Sequence, residues 1–345
     1  MLTVLGATGF TGRIVLEEAR RAGLPLRLAG RNRAALEALA RPGDEIRVAN
    51  ARDEASLREA FAGSTVVASC AGPFLELGFG PVAAAIGVGA HYLDTTGEQE
   101  FVRLVHERFA ASAAAAGVAV LPAFGFDYVP GDLAARLAAE QVEGPLEELA
   151  VAYSVKGVGT SRGTRRTIAA VMGQRQVTYE NGRLVPSRFG ARTRTFRFPF
   201  GERTVVEWAG AEPLTVPRHT DVRNVHSFLR APALAGRTAG LAKLASPVLL
   251  ALARFGREGP SQSSRGKSRF TVVAEARGTA GAGRAVVTGS DVYGLTALLI
   301  VRGAEELLAG SVHAAGVVAP AEAFDARTLI GRLQPYLELA EPRPL

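Results

Sequence analysis

The sequence predicts an α/β protein of two domains: a Rossmann-type domain with a doubly wound parallel sheet, and an α+β domain with a mostly antiparallel sheet. Three observations lead to this prediction. Short apolar runs alternate with amphipathic helical segments over residues 2–121, as in a parallel sheet covered by helices. From residue 146 onward the pattern becomes one of successive strands. The length, 345 residues, is enough for roughly two domains.

The first domain is predicted to contain six parallel strands. They cover residues 2–5, 26–29, 45–48, 65–69, 91–93 and 118–121, with helices at 10–22, 33–40, 54–61, 81–88 and 98–116. Sheets of this kind bind ligands at the carboxyl ends of their strands. Functional groups are therefore expected in the loops after Leu5, Ala29, Ser69, Leu93 and Leu121.

The loop after the first strand has the glycine spacing of a dinucleotide-binding turn. Gly6 permits the tight turn, Gly9 lets the backbone approach a pyrophosphate, and Gly12 lets the next helix pack closely on the strand. The N-terminus of that helix offers N–H groups and a positive dipole to the phosphates. The alternative is a plain tight turn between strand and helix. The predicted cofactor-binding residues in this loop are Gly6, Thr8, Gly9, Phe10, Thr11 and Gly12.

The loop after the second strand predicts which nicotinamide nucleotide is bound. NAD sites usually present a carboxylate here, but this chain has Arg31, Asn32 and Arg33, and no carboxylate before Glu37. A guanidinium suits a 2′-phosphate because its planar fork matches the phosphate oxygens. We therefore predict NADP, as NADPH, bound by residues 31–33. The alternative is that Arg33 only occupies the first turn of a helix.

The loops after the fourth, fifth and sixth strands supply the remaining candidates. Small residues at 69–73 are predicted to let the backbone approach the cofactor ribose; they are Ser69, Cys70, Ala71, Gly72 and Pro73. Glu98, Asp127 and Tyr128 are candidates for proton transfer, with Tyr128 as the acid and a carboxyl group orienting it or acting through water. Structural alternatives are a first-turn position for Glu98 after a Thr96 cap, packing for Tyr128 and a turn cap for Asp127. Asp132 is expected to cap the helix at 133–139.

Several other functions are excluded or disfavoured. The single cysteine, Cys70, cannot form an internal disulfide and suits a reducing compartment. The N-terminus enters a strand at once, without the pattern of a secretory signal, so we predict a cytoplasmic protein. Five scattered histidines without an HExxH motif give no metal site. Neither GxSxG nor a P-loop sequence occurs.

The charge is unevenly distributed and suggests an anionic partner. Residues 151–290 carry 23 basic and 7 acidic side chains, whereas residues 1–150 carry 13 and 19. Such a cationic region fits a phosphate-bearing substrate, an acidic protein or a membrane surface, or it is simply a solvated face. Nucleic acid is not expected, because no RNA-binding motif or zinc finger accompanies the charge.

One apolar stretch, residues 239–255, is too short to span a bilayer and contains Lys243, Pro247 and Arg254. No transmembrane segment is therefore predicted. The stretch is expected to be a buried helix, an interfacial helix in peripheral contact with a membrane, or a cover over an apolar substrate.

The combination of motifs resembles the saccharopine dehydrogenase-like oxidoreductases, in the branch that includes trans-acting enoyl reductases. The likeness lies in residues 6–12, 30–33, 72–74, 91–98 and 125–132, and continues at 159–160, 259–261, 291–297 and 316–320. Two departures are Asn50-Ala51, where an acidic residue is expected, and Tyr128, where a small polar residue is usual. The resemblance implies an N-terminal nicotinamide domain and a mixed-sheet domain from the middle of the chain.

The strand pattern agrees with that division. Strands are predicted at 148–155, 175–179, around 184, and at 193–198, 204–207, 222–229, 269–276 and 284–289, with a tight turn at Asn181-Gly182. We therefore divide the chain into a nucleotide domain (1–130), a substrate or dimerisation domain (131–291) and C-terminal helices (292–345) that pack back on the first domain.

Within the resemblance, three functions stay open. One is an NADPH-dependent reductase acting on the C=C bond of an acyl thioester, free or on an acyl carrier protein. The second is a C=N dehydrogenase of amino-acid substrates, in which Arg162, Arg165 and Arg166 would bind a carboxylate. The third is a non-catalytic NADP sensor. A homodimer is also left open.

A cluster of arginines is the expected docking surface for an anionic carrier. Arg188, Arg192, Arg194 and Arg197 lie within ten residues, and strand alternation is expected to bring the last three nearly to one face. A solvated edge strand is the alternative.

Overall fold

The computed structural model describes residues 1–157, 159, 161, 176–231, 259–312 and 314–344. These residues separate into two units. The first comprises Met1–Phe126 and Tyr293–Val318, and the second comprises Asp127–Val292 and Ala319–Leu345. The predicted fold class is confirmed: the first unit has a parallel Rossmann-type sheet, and the second has a mixed, mostly antiparallel sheet.

The first unit is built on seven parallel strands, in the order β15-β6-β5-β4-β1-β2-β3. The strands, numbered along the whole chain, are β1 (Leu2–Leu5), β2 (Leu26–Gly30), β3 (Glu45–Val48), β4 (Val66–Ser69), β5 (His91–Asp94), β6 (Ala119–Leu121) and β15 (Gly316–Val317). The helices of this unit are α1 (Phe10–Arg21), α2 (Arg33–Glu37), α3 (Glu54–Phe61), α4 (Phe74–Leu77), α5 (Phe79–Gly87), α6 (Gln99–Ala115) and α10 (Val292–Leu308, from Tyr293 onward).

The central strands of this sheet are apolar along their length because helices cover both faces. All four residues of β1 and all four of β4 are buried. One side of the sheet packs Tyr92, Phe101 and Phe61 into a continuous core. Since every strand runs in the same direction, the loops after β1, β2, β4, β5 and β6 meet at one edge of the sheet.

The second unit is built on a sheet in the order β10-β11-β12-β7-β13-β14-β16, with the β8–β9 hairpin attached to β12. Its strands are β7 (Leu146–Lys156), β8 (Gln176–Glu180), β9 (Arg183–Ser187), β10 (Thr193–Phe198), β11 (Gly201–Glu207), β12 (Val225–Leu229), β13 (Arg269–Gly278), β14 (Gly281–Ser290) and β16 (Leu337–Pro344). Its helices are α7 (Val129–Ala139), α8 (Glu212–Thr215), a 3₁₀ turn (Val216–Arg218), α9 (Gln262–Arg265), α11 (Pro320–Ala323) and α12 (Ala326–Gly331).

The β8–β9 turn has the predicted form. Asn181 and Gly182 have φ angles of 50° and 77°, the left-handed values of a two-residue hairpin turn. The pairing of β12 with β7 is parallel, which strand periodicity alone does not reveal.

The C-terminal region differs from expectation. Residues 293–318 lie in the first unit, where β15 extends the parallel sheet beside β6. Residues from Ala319 onward instead belong to the second unit, where β16 pairs with β14. The buried carboxylate of Asp132 also accepts the Ala321 N–H there, at 2.8 Å. The expectation that the whole segment 292–345 packs on the nucleotide domain therefore applies only to its first half.

Some predicted features lie outside the described residues. They are the candidate carboxylate-binding arginines Arg162, Arg165 and Arg166, the resemblance at Thr160, and the apolar stretch 239–255.

Candidate functional site

The loop after β1 has the close packing that its glycines predict. Gly6 has a φ of +79°, and a Cβ atom there would lie 3.0 Å from the carbonyl carbon of Cys70 and 3.1 Å from the Ala71 nitrogen. A Cβ atom on Gly12 would lie only 2.3 Å from the Gly6 oxygen. The turn therefore packs on the chain that leaves β4, and helix α1 packs on the turn.

Helix α1 presents an open N-terminus to solvent. Its N-cap residue, Gly9, is extended (φ −73°, ψ 166°), forms no side-chain cap and donates its own N–H to the Gly6 oxygen at 2.9 Å. No acidic side chain lies in the first turn. The N–H groups of Phe10, Thr11 and Gly12 have no helical acceptor by position, so they and the helix dipole can receive an anion.

Side chains of α1 and α10 also contact this loop. The Thr8 carbonyl accepts a hydrogen bond from Nε of Arg13 at 2.8 Å. The Phe10 ring contacts Tyr293 of α10 edge-to-face, with 5.0 Å between ring centroids. Residues nearly 300 positions apart in sequence thus support the same turn.

The loop after β2 gives its three candidates different environments. Asn32 is the N-cap of α2, and its side chain accepts the Ala35 N–H at 3.1 Å. Arg33 forms an exposed ion pair with Glu37 at 3.4 Å. Arg31 is exposed, and among the residues that the structure describes its guanidinium makes no hydrogen bond or ion pair. Arg31 is therefore the cation most available to a phosphate.

The loop after β4 lies directly beside the glycine turn. The Cys70 N–H donates to the Leu5 oxygen at 2.8 Å. Burial raises the pKa of the Cys70 thiol to about 12, so the thiol stays protonated and unreactive. Ser69 is fully buried, and the chain leaves the loop through Gly72 and Pro73 into α4.

The Glu98 carboxylate binds the backbone at the start of α4. It is fully buried, and its two carboxylate oxygens accept the backbone N–H groups of Phe74 at 2.8 Å and Leu75 at 3.1 Å. These contacts cap the N-terminus of α4 and lower the pKa of Glu98, while burial, the larger effect, raises it. The Glu98 N–H in turn donates to the Thr96 hydroxyl at 3.1 Å. Glu98 is thus the N-cap residue of α6, and both of its carboxylate oxygens are engaged by the start of α4.

Asp127 and Tyr128 begin the second unit and differ in the exposure of their side chains. The Tyr128 side chain is buried, and its hydroxyl donates to the Ala209 carbonyl at 3.2 Å. The Asp127 side chain is exposed, yet the surrounding protein raises its pKa to about 6 by desolvation. Of the two, Asp127 has the accessibility and the near-neutral pKa that proton transfer needs.

Asp132 does not cap α7 as expected. It lies within the first turn of the helix, and its carboxylate bonds with Nε2 of His219 at 3.1 Å as well as with the Ala321 N–H. This pair is buried and fully engaged, so it fastens α7 to the C-terminal chain of the second unit.

Asp94 and Glu212 are among the buried carboxyl groups that sequence reasoning did not single out. Asp94 ends β5 in the first unit and is fully buried. Glu212 lies at the start of α8 in the second unit, where Tyr153 and Ser227 each donate a hydroxyl to it at 2.5 Å. The position of Asp94 at a strand end was a usable signal. Nothing local marks Glu212, because its partners come from β7 and β12.

The arginines of the predicted cluster do not all lie on one face. Arg194 lies on the same face of β10 as the buried Phe196 and bonds with Glu148 at 3.0 Å. Arg192 is bound by Glu207 and Glu180. Arg197 faces the opposite side, because side chains alternate along a strand. The expectation that these three arginines share a face is wrong, and two of the charges are neutralised internally.

Two classes of site find no support in the described part of the chain. It contains no group of three or more His, Cys, Asp or Glu side chains placed to hold a metal ion. None of its helices combines the length and apolar character needed to cross a bilayer.

Comparisons with known proteins agree with this picture of the first unit. Residues 6–122 match the model of an NAD(P)H-binding family. A saccharopine dehydrogenase-like oxidoreductase of Rattus norvegicus is 32% identical over 165 residues, covering 42% of this chain and 38% of that protein. A Mycobacterium tuberculosis protein provisionally described as a trans-acting enoyl reductase is 35% identical over 184 residues, covering 50% of this chain and 44% of that protein. These matches thus span less than half the length of either relative.

The fold comparison extends over the whole chain. Saccharopine dehydrogenase (L-Glu forming) of Saccharomyces cerevisiae superposes with a TM-score of 0.62, covering 100% of this chain and 99% of that one, at 12% identity. At that identity the likeness concerns the fold alone. The chain therefore contains an NAD(P)H-binding region at residues 6–122, and it is similar to saccharopine dehydrogenase-like oxidoreductases over part of its sequence.

Proposed function

We propose that the protein is an NADPH-dependent reductase. The observation that carries this proposal is the presence of two features at neighbouring strand ends: an open α1 N-terminus behind the Gly6–Gly12 turn, and the Arg31 guanidinium after β2. Among the described residues, that guanidinium forms no ion pair or hydrogen bond. The first feature suits a pyrophosphate, and the second suits the 2′-phosphate that distinguishes NADP from NAD.

The choice of nucleotide has a direct test. Replacing Arg31 by Ala removes a charge-assisted hydrogen bond, so NADPH binding should weaken by about 1.5–3 kcal/mol, or roughly 10- to 100-fold in Kd. NADH binding should barely change. Arg21→Ala is the matched control, since Arg21 is also an exposed arginine but lies at the C-terminal end of α1, away from the glycine turn. The Kd values of NADPH and NADH are measured by fluorescence titration for wild type, Arg31→Ala and Arg21→Ala. Equal losses of affinity for NADPH and NADH in Arg31→Ala contradict the assignment of Arg31 to the 2′-phosphate.

For the substrate we propose a C=C bond conjugated to a thioester, as the provisional description of the mycobacterial relative suggests. The bound nucleotide supplies a hydride, and the protein orients the reactants and provides a proton. The exposed carboxyl group of Asp127, with its pKa raised to about 6, is the residue best suited to deliver that proton. The buried Tyr128 hydroxyl is already committed to the Ala209 carbonyl.

A substrate panel tests the reaction. NADPH oxidation is followed with enoyl thioesters of coenzyme A and of an acyl carrier protein, and in parallel with imine and keto-acid plus amine substrates. Turnover with the enoyl thioesters supports the proposal. Turnover confined to the C=N substrates replaces it by an amino-acid type dehydrogenase. Tight NADPH binding without turnover on either panel indicates a sensor.

A further inference from the structure

We propose that Asp94 is a positioning residue of the nucleotide site, whose carboxyl group joins the loops that follow β5 and β6. The proposal rests on the NADPH-binding function proposed above and deepens it. No role was predicted for Asp94 from the sequence, although it ends β5 and lies within the motif at residues 91–98.

The side chain of Asp94 joins two loops directly. Its Oδ1 atom accepts the N–H of Thr96, in the loop after β5, at 3.0 Å and the N–H of Ala123, in the loop after β6, at 2.8 Å. Its backbone carbonyl accepts the Phe124 N–H at 2.7 Å. Ala123 has a φ of +61°, a left-handed conformation that a residue with a Cβ atom adopts only when contacts hold it there.

These contacts continue to the phosphate-binding turn within the same unit. Asp94 pairs across the sheet with Ser69, and the Thr95 N–H donates to the Ser69 oxygen at 3.3 Å. The next residue, Cys70, donates its N–H to Leu5 and backs directly on Gly6. A chain of backbone contacts therefore runs from Asp94 across β4 to the turn expected to receive the pyrophosphate.

The second oxygen of Asp94 belongs to a small cluster of buried polar atoms. Asp94 Oδ2, the Tyr92 hydroxyl and the Ser69 hydroxyl are all buried, and none makes a well-formed hydrogen bond within the described part of the chain. They share one face of the sheet, because Tyr92 lies two residues before Asp94 and Ser69 lies level with it. The other titratable groups that influence Asp94 or lie beside it are Glu98, at the start of α6, and the Cys70 thiol, after β4.

This environment makes the carboxyl group titratable near neutrality. Burial raises the pKa of Asp94 to about 7, with a smaller contribution from the Glu98 charge, against the lowering by the two N–H donors and by Tyr92. An ionised carboxylate is a stronger acceptor for the Thr96 and Ala123 N–H groups than a protonated one. The loops are therefore held more firmly, and NADPH is bound more tightly, as pH rises through about 7.

The test compares NADPH affinity in wild type and Asp94→Asn from pH 6 to pH 8.5 at constant ionic strength. Asparagine keeps one carbonyl acceptor but never carries the charge. The ratio of the two Kd values should be near one at pH 6 and reach about five- to tenfold at pH 8.5. Because both proteins bind the same ligand, the ratio cancels the ionisation of the 2′-phosphate, which falls in the same range.

Glu212→Gln is the matched control, since it also removes a buried carboxyl group with a pKa near 7, but in the second unit. Its NADPH profile should follow wild type. A ratio for Asp94→Asn that does not change with pH overturns the proposal and leaves Asp94 a merely structural residue. If Asp94→Asn does not fold, the affinity of the wild-type protein for NADH is measured from pH 6 to pH 8 instead. An NADH affinity that fails to rise over this range overturns the proposal. Failure of wild type to bind NADPH at all refutes the proposed function instead.

Discussion

Replacing Gly12 by alanine tests the nucleotide-binding turn most directly. The new Cβ atom would lie 2.3 Å from the Gly6 oxygen and 3.0 Å from the Ala7 Cα atom. Such contacts essentially never fall below 3.0 Å, so helix α1 must move away from the turn by at least 0.7 Å. The Gly6 oxygen cannot rotate away, because it belongs to the backbone and accepts the Gly9 N–H.

The magnitude follows from two opposing effects. Forcing a methyl group into a closely packed site costs about 1–3 kcal/mol. Alanine recovers up to about 1 kcal/mol through its better helix propensity. The net loss should be about 1–2 kcal/mol of folding stability, which corresponds to a fall in Tm of roughly 1–3 °C for a protein of this size. Because the displaced N–H groups are those that we propose to bind the phosphates, NADPH should bind at least about tenfold more weakly.

The assay is thermal unfolding together with NADPH fluorescence titration, and Gly331→Ala is the control. Gly331 is also helical, in α12, but a Cβ atom there would meet nothing within 4 Å. That variant should keep the wild-type Kd and lose no stability. Gly12→Ala with wild-type Tm and wild-type NADPH affinity would refute the reasoning about this turn.

Two further predictions concern buried carboxyl groups. Glu98→Gln keeps only one side-chain acceptor for the two N–H groups at the start of α4. The free energy of unfolding should therefore fall by about 1–3 kcal/mol while turnover persists. Loss of turnover at unchanged stability would show instead that Glu98 acts in the reaction. Burial raises the pKa of Glu212 from 4.5 to about 7. Between these two pH values the folded protein retains a proton that the unfolded chain releases. The stability of the wild type should therefore fall by up to about 3 kcal/mol as pH rises from 4.5 to about 7. Urea unfolding at pH 5 and pH 8 should show that Glu212→Gln lacks this loss, and equal pH dependence in both proteins would contradict the assignment.

Much of the first unit could be predicted from local sequence. Leu2–Leu5 and Glu45–Val48 form strands over the predicted residues, because a parallel strand buried on both faces or at a sheet edge is specified by its own apolar and β-branched side chains. The roles of Gly6 and Gly12 were also predictable, since they depend on backbone packing between neighbours in sequence.

Side-chain roles that depend on distant partners could not be predicted. Arg31 and Arg33 look equivalent in sequence, but only Arg33 has Glu37 one helical turn away. Arg192 and Arg194 were expected to face solvent, yet carboxylates from other strands bind both. A charge count cannot show this pairing, because the partners lie between 12 and 81 positions away along the chain.

The sequence by itself determined the parallel sheet, the position of the glycine turn after β1 and the loops at the carboxyl ends of the strands, since each follows from short-range periodicity and glycine spacing. Only the tertiary structure decided that Glu98 caps α4, that Asp127 is exposed while Tyr128 is buried, and that the Asp94 carboxyl group joins two loops. The physical reason is that burial and hydrogen bonding fix the chemistry of a carboxyl or hydroxyl group, and both are supplied by residues that only folding brings together.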